Sequence, residues 1–243
     1  MTVRRPTPTV LSWSGGKDSA LALHALWMDP SVEVRGLLTT VTDGYERVSM
    51  HGVRTALVEA QAAALGLALY TVRIPQTASN DVYERATLQT LTSLRDEGVE
   101  SIAFGDLFLG DVRAYRERLC ARVPIAPAFP IWGRETSTLA DEFIRSGFRA
   151  ILVCVDPRQI DVSHCGSEFD AALLRALPLS ADRCGENGEF HTFVYDGPMF
   201  CDPIEAQRGD VVERSGFVFC DLLPRDVPRA TSGDASRSGM PRA

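Results

Sequence analysis

What this chain has least of is lysine. Its 25 basic residues are 24 arginines and a single lysine, Lys17, and the two side chains are not interchangeable where a compact ammonium must fit a tight site. Paired cysteines are missing too. Cys120, Cys154, Cys165, Cys184, Cys201 and Cys220 lie 11 or more residues apart with no CxxC, so zinc and iron–sulfur readings lose their main support and reduced thiols are expected. The longest strongly apolar run is about Ala150 to Val155, far short of the roughly 20 residues that span a bilayer. No transmembrane helix is expected. The opening MTVRRPTPTV has no apolar segment of the secretory kind, which gives the expectation of a cytoplasmic protein. No dense basic block is present either, and with net charge -7 and pI about 5.2 the summed field repels nucleic acid and anionic membrane.

What remains is ordinary globular material: 243 residues, 45% hydrophobic and 23% charged, enough for one large domain or two modest ones. The first 125 or so residues alternate strand-like apolar runs with amphipathic helix-length stretches, the pattern of an α/β protein with a helix-covered parallel sheet. Strands are predicted at Thr9–Trp13, Val34–Val41, Leu67–Ile74 and Ser101–Phe104. Helices follow the first strand up to Asp29-Pro30 and then cover Val53–Leu65, Asp81–Glu97 and Val112–Ala121. A proline-punctuated stretch, VPIAPAFPIWGRE, breaks this rhythm and sets a domain boundary at residue 134. Beyond it come helices at Thr138–Ser146 and Ser167–Leu177 and strands at Ala150–Val155, Phe190–Tyr195 and Phe217–Leu222, a smaller α/β domain over 135–223. Residues 224–243, rich in Ser, Gly, Pro and Arg, read as a disordered tail.

The most informative segment is Ser14-Gly15-Gly16-Lys17-Asp18-Ser19, between the first strand and first helix. Unpaired amides and the positive end of a helix favour an anion there. Gly15 and Gly16 let the backbone approach phosphate oxygens, Ser14 and Ser19 add hydroxyls, and Lys17 adds a compact charge from an exposed loop position. Asp18 could cap the helix or help position magnesium. The spacing is not that of a Walker A loop. WSGGKDSALAL instead resembles the PP-loop of the ATP pyrophosphatase superfamily. That resemblance implies ATP, cleavage between its α and β phosphates, and adenylation of a substrate oxygen.

A second signature packs two acids, an amide, an imidazole and a hydroxyl around flexible glycines: Cys184-Gly185-Glu186-Asn187-Gly188-Glu189-Phe190-His191-Thr192. If the strand runs through it, Glu189 and His191 share a face and could bind metal, relay a proton or orient an amine. An acidic turn before a surface strand is the alternative from composition. GENGEFHTFVYDGPMF is similar to the carboxy-terminal signature of the diphthine-ammonia ligase family. Looser matches are His51, Gln61-Ala62 and Leu65-Gly66, Gly105-Asp106 followed by Arg113, and Pro130 through Arg134, so the likeness spans about residues 9 to 200.

The resemblance implies a Rossmann-like, adenine nucleotide alpha hydrolase domain, closed by the smaller domain with substrate entering between them. Lys17, Asp18, Glu186, Glu189 and His191 are the expected catalytic set. Thr39, Gly105 and Asp106 join the loop around the nucleotide, because parallel-sheet ligands collect where strand order reverses. Arg113, Arg134, Asn187, Gly188 and Thr192 are the expected substrate contacts, although with 24 arginines a surface role is equally open for Arg113 and Arg134. The expected activity is an AMP-forming, ATP- and magnesium-dependent carbon–nitrogen ligase. Its expected partners are ammonia and a small-molecule or protein-borne carboxylate, with homodimerisation allowed. The arginine bias and compact length read as bacterial, where diphthamide is not expected, so such a member would need another acceptor. A tRNA-modifying PP-loop enzyme is the first alternative and should carry paired cysteines or a basic surface. A non-catalytic ATP sensor is the second, and it leaves Glu186, Asn187, Glu189 and His191 without a task.

Overall fold

The computed structural model describes residues 5–44, 47–48 and 52–225. His51 and most of the predicted tail lie outside the described residues. Among the described residues ten strands and six α-helices follow, beginning β1 (Thr7–Ser12), α1 (Lys17–Trp27), β2 (Val32–Thr42), β3 (Arg47–Val48), α2 (Thr55–Ala64), β4 (Ala68–Ile74), α3 (Asn80–Asp96), β5 (Ser101–Ala103), α4 (Gly110–Cys120) and β6 (Ala126–Ala128). The second half contributes α5 (Thr136–Arg145), β7 (Arg149–Val155), α6 (Ala171–Ala176), β8 (Phe190–Asp196), β9 (Ala206–Arg214) and β10 (Phe217–Pro224).

Two sheets organise these elements. The first has the order β3-β2-β1-β5-β6 with β4 also on β2, and every pair is parallel except the β2–β3 hairpin. The α/β, Rossmann-like expectation is met. The second is antiparallel throughout, in the order β8-β7-β10-β9. In the first sheet β1 lies between β2 and β5, so chain connections leave to opposite sides of it and open a crevice beyond its carboxyl end. The segment that occupies this position is Trp13 to Gly16.

Strand β1 is apolar on both faces because helices cover both. Leu11 enters one core cluster with Trp13, Leu23 and Leu37, while its neighbour Val10 enters another with Leu38, Leu91, Leu94 and Ile102. The first cluster continues past residue 134 into Phe143, Leu152, Phe190 and Phe193, so one core carries both sheets.

Several elements depart from the sequence reading, the short strands β3 and β6 among them, since neither was predicted. The helix expected at Ser167–Leu177 is only Ala171–Ala176, because Asp170 caps it by accepting from the amides of Ala172 and Leu173, and Glu168 instead bridges to Ile151. Strand β9 went unpredicted. Its AQRGDVVER is almost wholly exposed and charged, as edge strands that resist further pairing commonly are. The expected tail begins too early, since Pro224 closes β10 opposite Ala206 and Arg225 pairs with Glu205.

Candidate active site

Helix α1 begins with no side-chain cap at Gly16, leaving its first-turn amides open toward the crevice apart from that of Lys17. The Lys17 amide donates to Thr192 Oγ1 on β8 at 3.0 Å, and the Val194 amide donates to the Gly15 carbonyl at 2.9 Å. The phosphate loop and the second signature are therefore laced together across 175 residues of sequence. Gly15 has φ +81, and a Cβ there would meet Gln61 Oε1 at 2.8 Å. Gly105 is needed on the opposite wall, where a Cβ would lie 3.0 Å from the Asp18 backbone.

A cleft of about 470 Å³ opens between these elements, lined by Ser14, Lys17, Asp18, Ser19, Gly105, Asp106, Glu186, Gly188, His191 and Thr192 among others. Much of the expected set thus converges. Lys17, however, is not at the exposed lip of a loop. It is the first residue of α1, only 2% exposed, with Nζ 2.8 Å from both Asp18 carboxylate oxygens and over the faces of Phe190 and Phe169. Burial works to lower its pKa, but Asp18 and, more weakly, Glu186 outweigh burial and hold the ammonium above its ordinary range.

Glu186 faces the same cleft, and burial together with the Asp18, Asp182 and Asp106 carboxylates lifts it to about 7, against the opposing pull of Lys17. His191 is pushed down to about 4 by burial and by Lys17, so it is a neutral imidazole near pH 7. Cys184 also lines the cleft. Burial drives its thiol up to about 12 and its Sγ donates to the Thr136 carbonyl, which makes it a packing thiol rather than a thiolate nucleophile.

Other expected residues are placed elsewhere. Glu189 does not point with His191: its carboxylate accepts from the amides of Asp182 and Asn187 and from Asn187 Nδ2, so it braces the signature loop from inside. Asn187 is exposed and committed to that same carboxylate. Thr39 is buried in β2 away from the cleft lining, with Oγ1 unpartnered. Arg113 lies 4.6 Å over Phe129 and 4.7 Å over Trp132 and pairs with Glu117, and Arg134 pairs with Glu142 at the surface. Neither lines the cleft.

Two residues missed in the sequence take prominent places. Leu109, Val112 and Arg116 line the cleft at i, i+3 and i+7, so the phase of α4 selects Arg116 rather than Arg113. Arg116 lies 3.6 Å from Asp106 and stacks over Phe104. Asp106 Oδ2 and Arg116 Nε are both buried without a hydrogen-bond partner, and burial raises the Asp106 pKa against the pull of Arg116. Such unsatisfied groups on the wall of a cleft are apt for a polar ligand. Gln61 is the other. Fully buried on α2, it donates to the carbonyls of Gly15 at 3.0 Å and Val194 at 2.5 Å while its Oε1 accepts from Trp13 Nε1 at 2.8 Å. One amide thus fixes the end of β1, the phosphate loop and β8. The sequence marked it only within a loose family match, Gln61-Ala62, with no role attached.

The fold and cleft define an α/β protein whose glycine-rich loop sits at the switch point of its parallel sheet, against an antiparallel second half. Residues 7–127 match the Diphthamide synthase N-terminal domain and residues 135–221 the Diphthamide synthase C-terminal domain, and the chain belongs to the diphthamide synthase family. Similar proteins include the diphthine–ammonia ligases of Bos taurus, 29% identical over 73% of this chain and 70% of the relative, and of Danio rerio, 28% identical over 86% and 90%. That of Schizosaccharomyces pombe is 26% identical over 86% of this chain and 38% of the relative.

Proposed function

We propose that this protein is an ATP-dependent ligase that adenylates a substrate carboxylate, releases pyrophosphate and then joins ammonia to the acyl group, releasing AMP. The observation that carries this reading is the lacing of Lys17 and Gly15 to Thr192 and Val194. It makes an anion-binding loop and a set of acid–base groups the two walls of one cleft. Family membership and the named activity of the relatives support it.

The chemistry divides between the two walls. On one, the open α1 amides and the Lys17 ammonium receive the β and γ phosphates and take up the charge that develops as pyrophosphate leaves. The acceptor carboxylate attacks the α phosphorus, forming one P–O bond as the α–β bridge breaks. On the other wall Glu186, titrating at about 7, is matched to accept the proton lost when an ammonium becomes the attacking ammonia. That ammonia adds to the acyl carbon, AMP departs with the electron pair of the broken C–O bond, and the surplus N–H proton passes to the departing phosphate.

Magnesium fits this donor set. Among the described residues no three His, Cys, Asp or Glu side chains form a metal cage, but magnesium commonly takes one or two carboxylates and completes its shell with phosphate oxygens and water. Asp18 on the cleft wall would hold it, and it would supply further neutralisation of phosphate charge.

Diphthine, the acceptor in the relatives' name, is the first carboxylate to test. No helix among the described residues is long and apolar enough to cross a membrane. Thiolation of tRNA draws no support from a cleft whose single cysteine is a buried neutral thiol. Incubation with ATP, ammonium and a diphthine-bearing protein tests the reading. AMP and pyrophosphate are the expected products, and ADP with phosphate would overturn it.

A further inference from the structure

A second cavity, of about 450 Å³, opens where the β2–β3 end of the first sheet faces β9 and β10 of the second. Its floor is one face of the β9–β10 ribbon. Asp210, Val212 and Arg214 alternate along β9, and Phe217 and Phe219 alternate along β10, all lining the cavity. Phe217 pairs with Arg214 and Phe219 with Val212 in the register of the two strands. Phe217 is decisive, because it lines the nucleotide cleft as well as this cavity. A ligand lying on the ribbon would have one end at the wall of the compartment where ATP is cleaved.

The charges on the ribbon give that ligand a direction. Neither the Asp210 carboxylate nor the Arg214 guanidinium has a side-chain partner among the described residues, unlike Asp221 beside them, which is held by Arg47 and Arg54. They stand four residues apart on β9, at most about 13 Å between their Cα atoms because the register shifts beside Asp210, and both line the cavity. Val212 and the two phenyl rings fill the interval. Arg214, opposite Phe217, marks the end at the nucleotide cleft, and a guanidinium is suited to a carboxylate. Asp210 marks the far end and is suited to a cation. Phe217 already carries the Arg158 guanidinium 5.6 Å from its ring centre, so the aromatic floor tolerates positive charge.

We propose that the β9–β10 ribbon is the acceptor port: it takes an elongated zwitterion, carboxylate leading past Arg214 and Phe217 and cation trailing at Asp210. The word acceptor rests on the ligase reading, whereas the port itself does not. The carboxylate could be borne by a free small molecule or by a basic protein segment, and the two share this chemistry.

Binding of 6-aminohexanoate, measured by saturation-transfer NMR on the full chain without turnover, tests the port. Binding in the millimolar range is expected, with hexanoate and hexylamine each at least tenfold weaker because each meets only one of the two charges. Val212→Trp, which fills the middle of the floor, and Arg214→Glu should each weaken 6-aminohexanoate at least tenfold while the Kd for ATP changes less than twofold. Val211→Trp, on the opposite face of the same strand, should leave probe binding unchanged and controls for folding. A pentapeptide with lysine and glutamate flanking a glycine separates the sources. Tighter binding than 6-aminohexanoate assigns a protein-borne acceptor, and weaker binding a free one. No binding, equal binding of the three simple probes, or indifference to Val212→Trp would overturn the port. Because these assays need no turnover, failure of AMP formation would sink the ligase reading without changing them.

Discussion

The two loops that meet in the cleft are built on opposite principles. Ser14 to Ser19 keeps most of its donors open: α1 has no side-chain cap, and within the loop the contacts are few, such as Ser19 Oγ donating to the Gly16 carbonyl. Such a loop is completed by its ligand. Residues 182–189 are instead closed on themselves around two carboxylates. Asp182 accepts from the amides of Cys184 and Glu186, and Glu189 from those of Asp182 and Asn187. Of the two glutamates in the second signature, Glu189 is consumed in holding the loop's shape and Glu186 is left facing the cleft. Equal residue types in one motif therefore do unequal work, and a functional acid is recognised by what its oxygens have not already accepted.

The largest expected effect tests the open loop. Lys17→Ala should reduce AMP formation by about two to three orders of magnitude, the scale of one lost charge-stabilising contact, measured as pre-steady-state AMP release. Because Lys17 is buried against Asp18, the variant should also lose about 1 to 3 kcal/mol of stability without nucleotide, measured by urea unfolding. An unchanged Tm would return Lys17 to the exposed position that the sequence suggested. Lys17→Arg should recover little activity, since a planar guanidinium does not fit between Asp18 and the Phe190 face.

Glu186 tests the closed loop. Glu186→Gln should lower the amidation rate by about two orders of magnitude, within the range for a lost general base. It should also remove the rise in rate that the wild type shows through about pH 7, the value to which Glu186 is raised. Stability should move the other way. A carboxyl whose folded pKa lies above its unfolded value destabilises the fold as pH rises from about 4.5 to about 7, so Glu186→Gln should melt above the wild type at pH 8 and level with it at pH 4. A Tm difference independent of pH would show that Glu186 titrates normally. If Glu189→Gln alone abolished the pH dependence, the division of labour between the two glutamates would be reversed.

Gln61 sharpens the comparison because it touches both loops. In Gln61→Glu an ionised carboxylate would face the carbonyls of Gly15 and Val194, where the native amide donates. ATP binding at pH 8 should weaken about tenfold, equivalent to about 1.4 kcal/mol. Acidification should restore part of it relative to wild type at the same pH, because the protonated acid regains one donor. Titration calorimetry across pH 6 to 8 would show this, and a deficit that did not change with pH would make Gln61 a packing residue only.

The sequence made much of this legible and some of it opaque, for physical reasons. Apolar runs buried on both faces announced β1, β2 and β5, and glycines between a strand and a helix announced the turn that opens onto the cleft, because local chemistry alone determines both. What local chemistry does not determine was lost. Strand β9 is stabilised by pairing with β10 while its side chains stay polar. The burial of Lys17 involves Phe169 and Phe190, both more than 150 residues away. Choosing Arg116 over Arg113 needed the phase of α4 relative to the cleft, which the order of residues after Gly105-Asp106 does not reveal.

The smallest expected effect marks where the site ends. Arg134 lies at the junction of the two halves, where an arginine could serve a substrate carboxylate, but its guanidinium is held by Glu142 at 2.5 Å and lies outside the cleft lining. With side-chain exposures of 39% and 30%, this is a surface pair of the kind that contributes about 0 to 1 kcal/mol. Arg134→Ala should therefore leave the KM for ATP and for the acceptor within twofold and shift the Tm by no more than a few degrees. Arg116→Ala, one wall away, should raise a KM well beyond that, since it strands the buried Asp106 carboxylate and removes one of the two cations, with Lys17, that line the cleft. If Arg134→Ala instead raised the acceptor KM tenfold with ATP binding intact, the acceptor would have to reach across the junction at residue 134. The boundary of the site would then follow the sequence motif rather than the cleft.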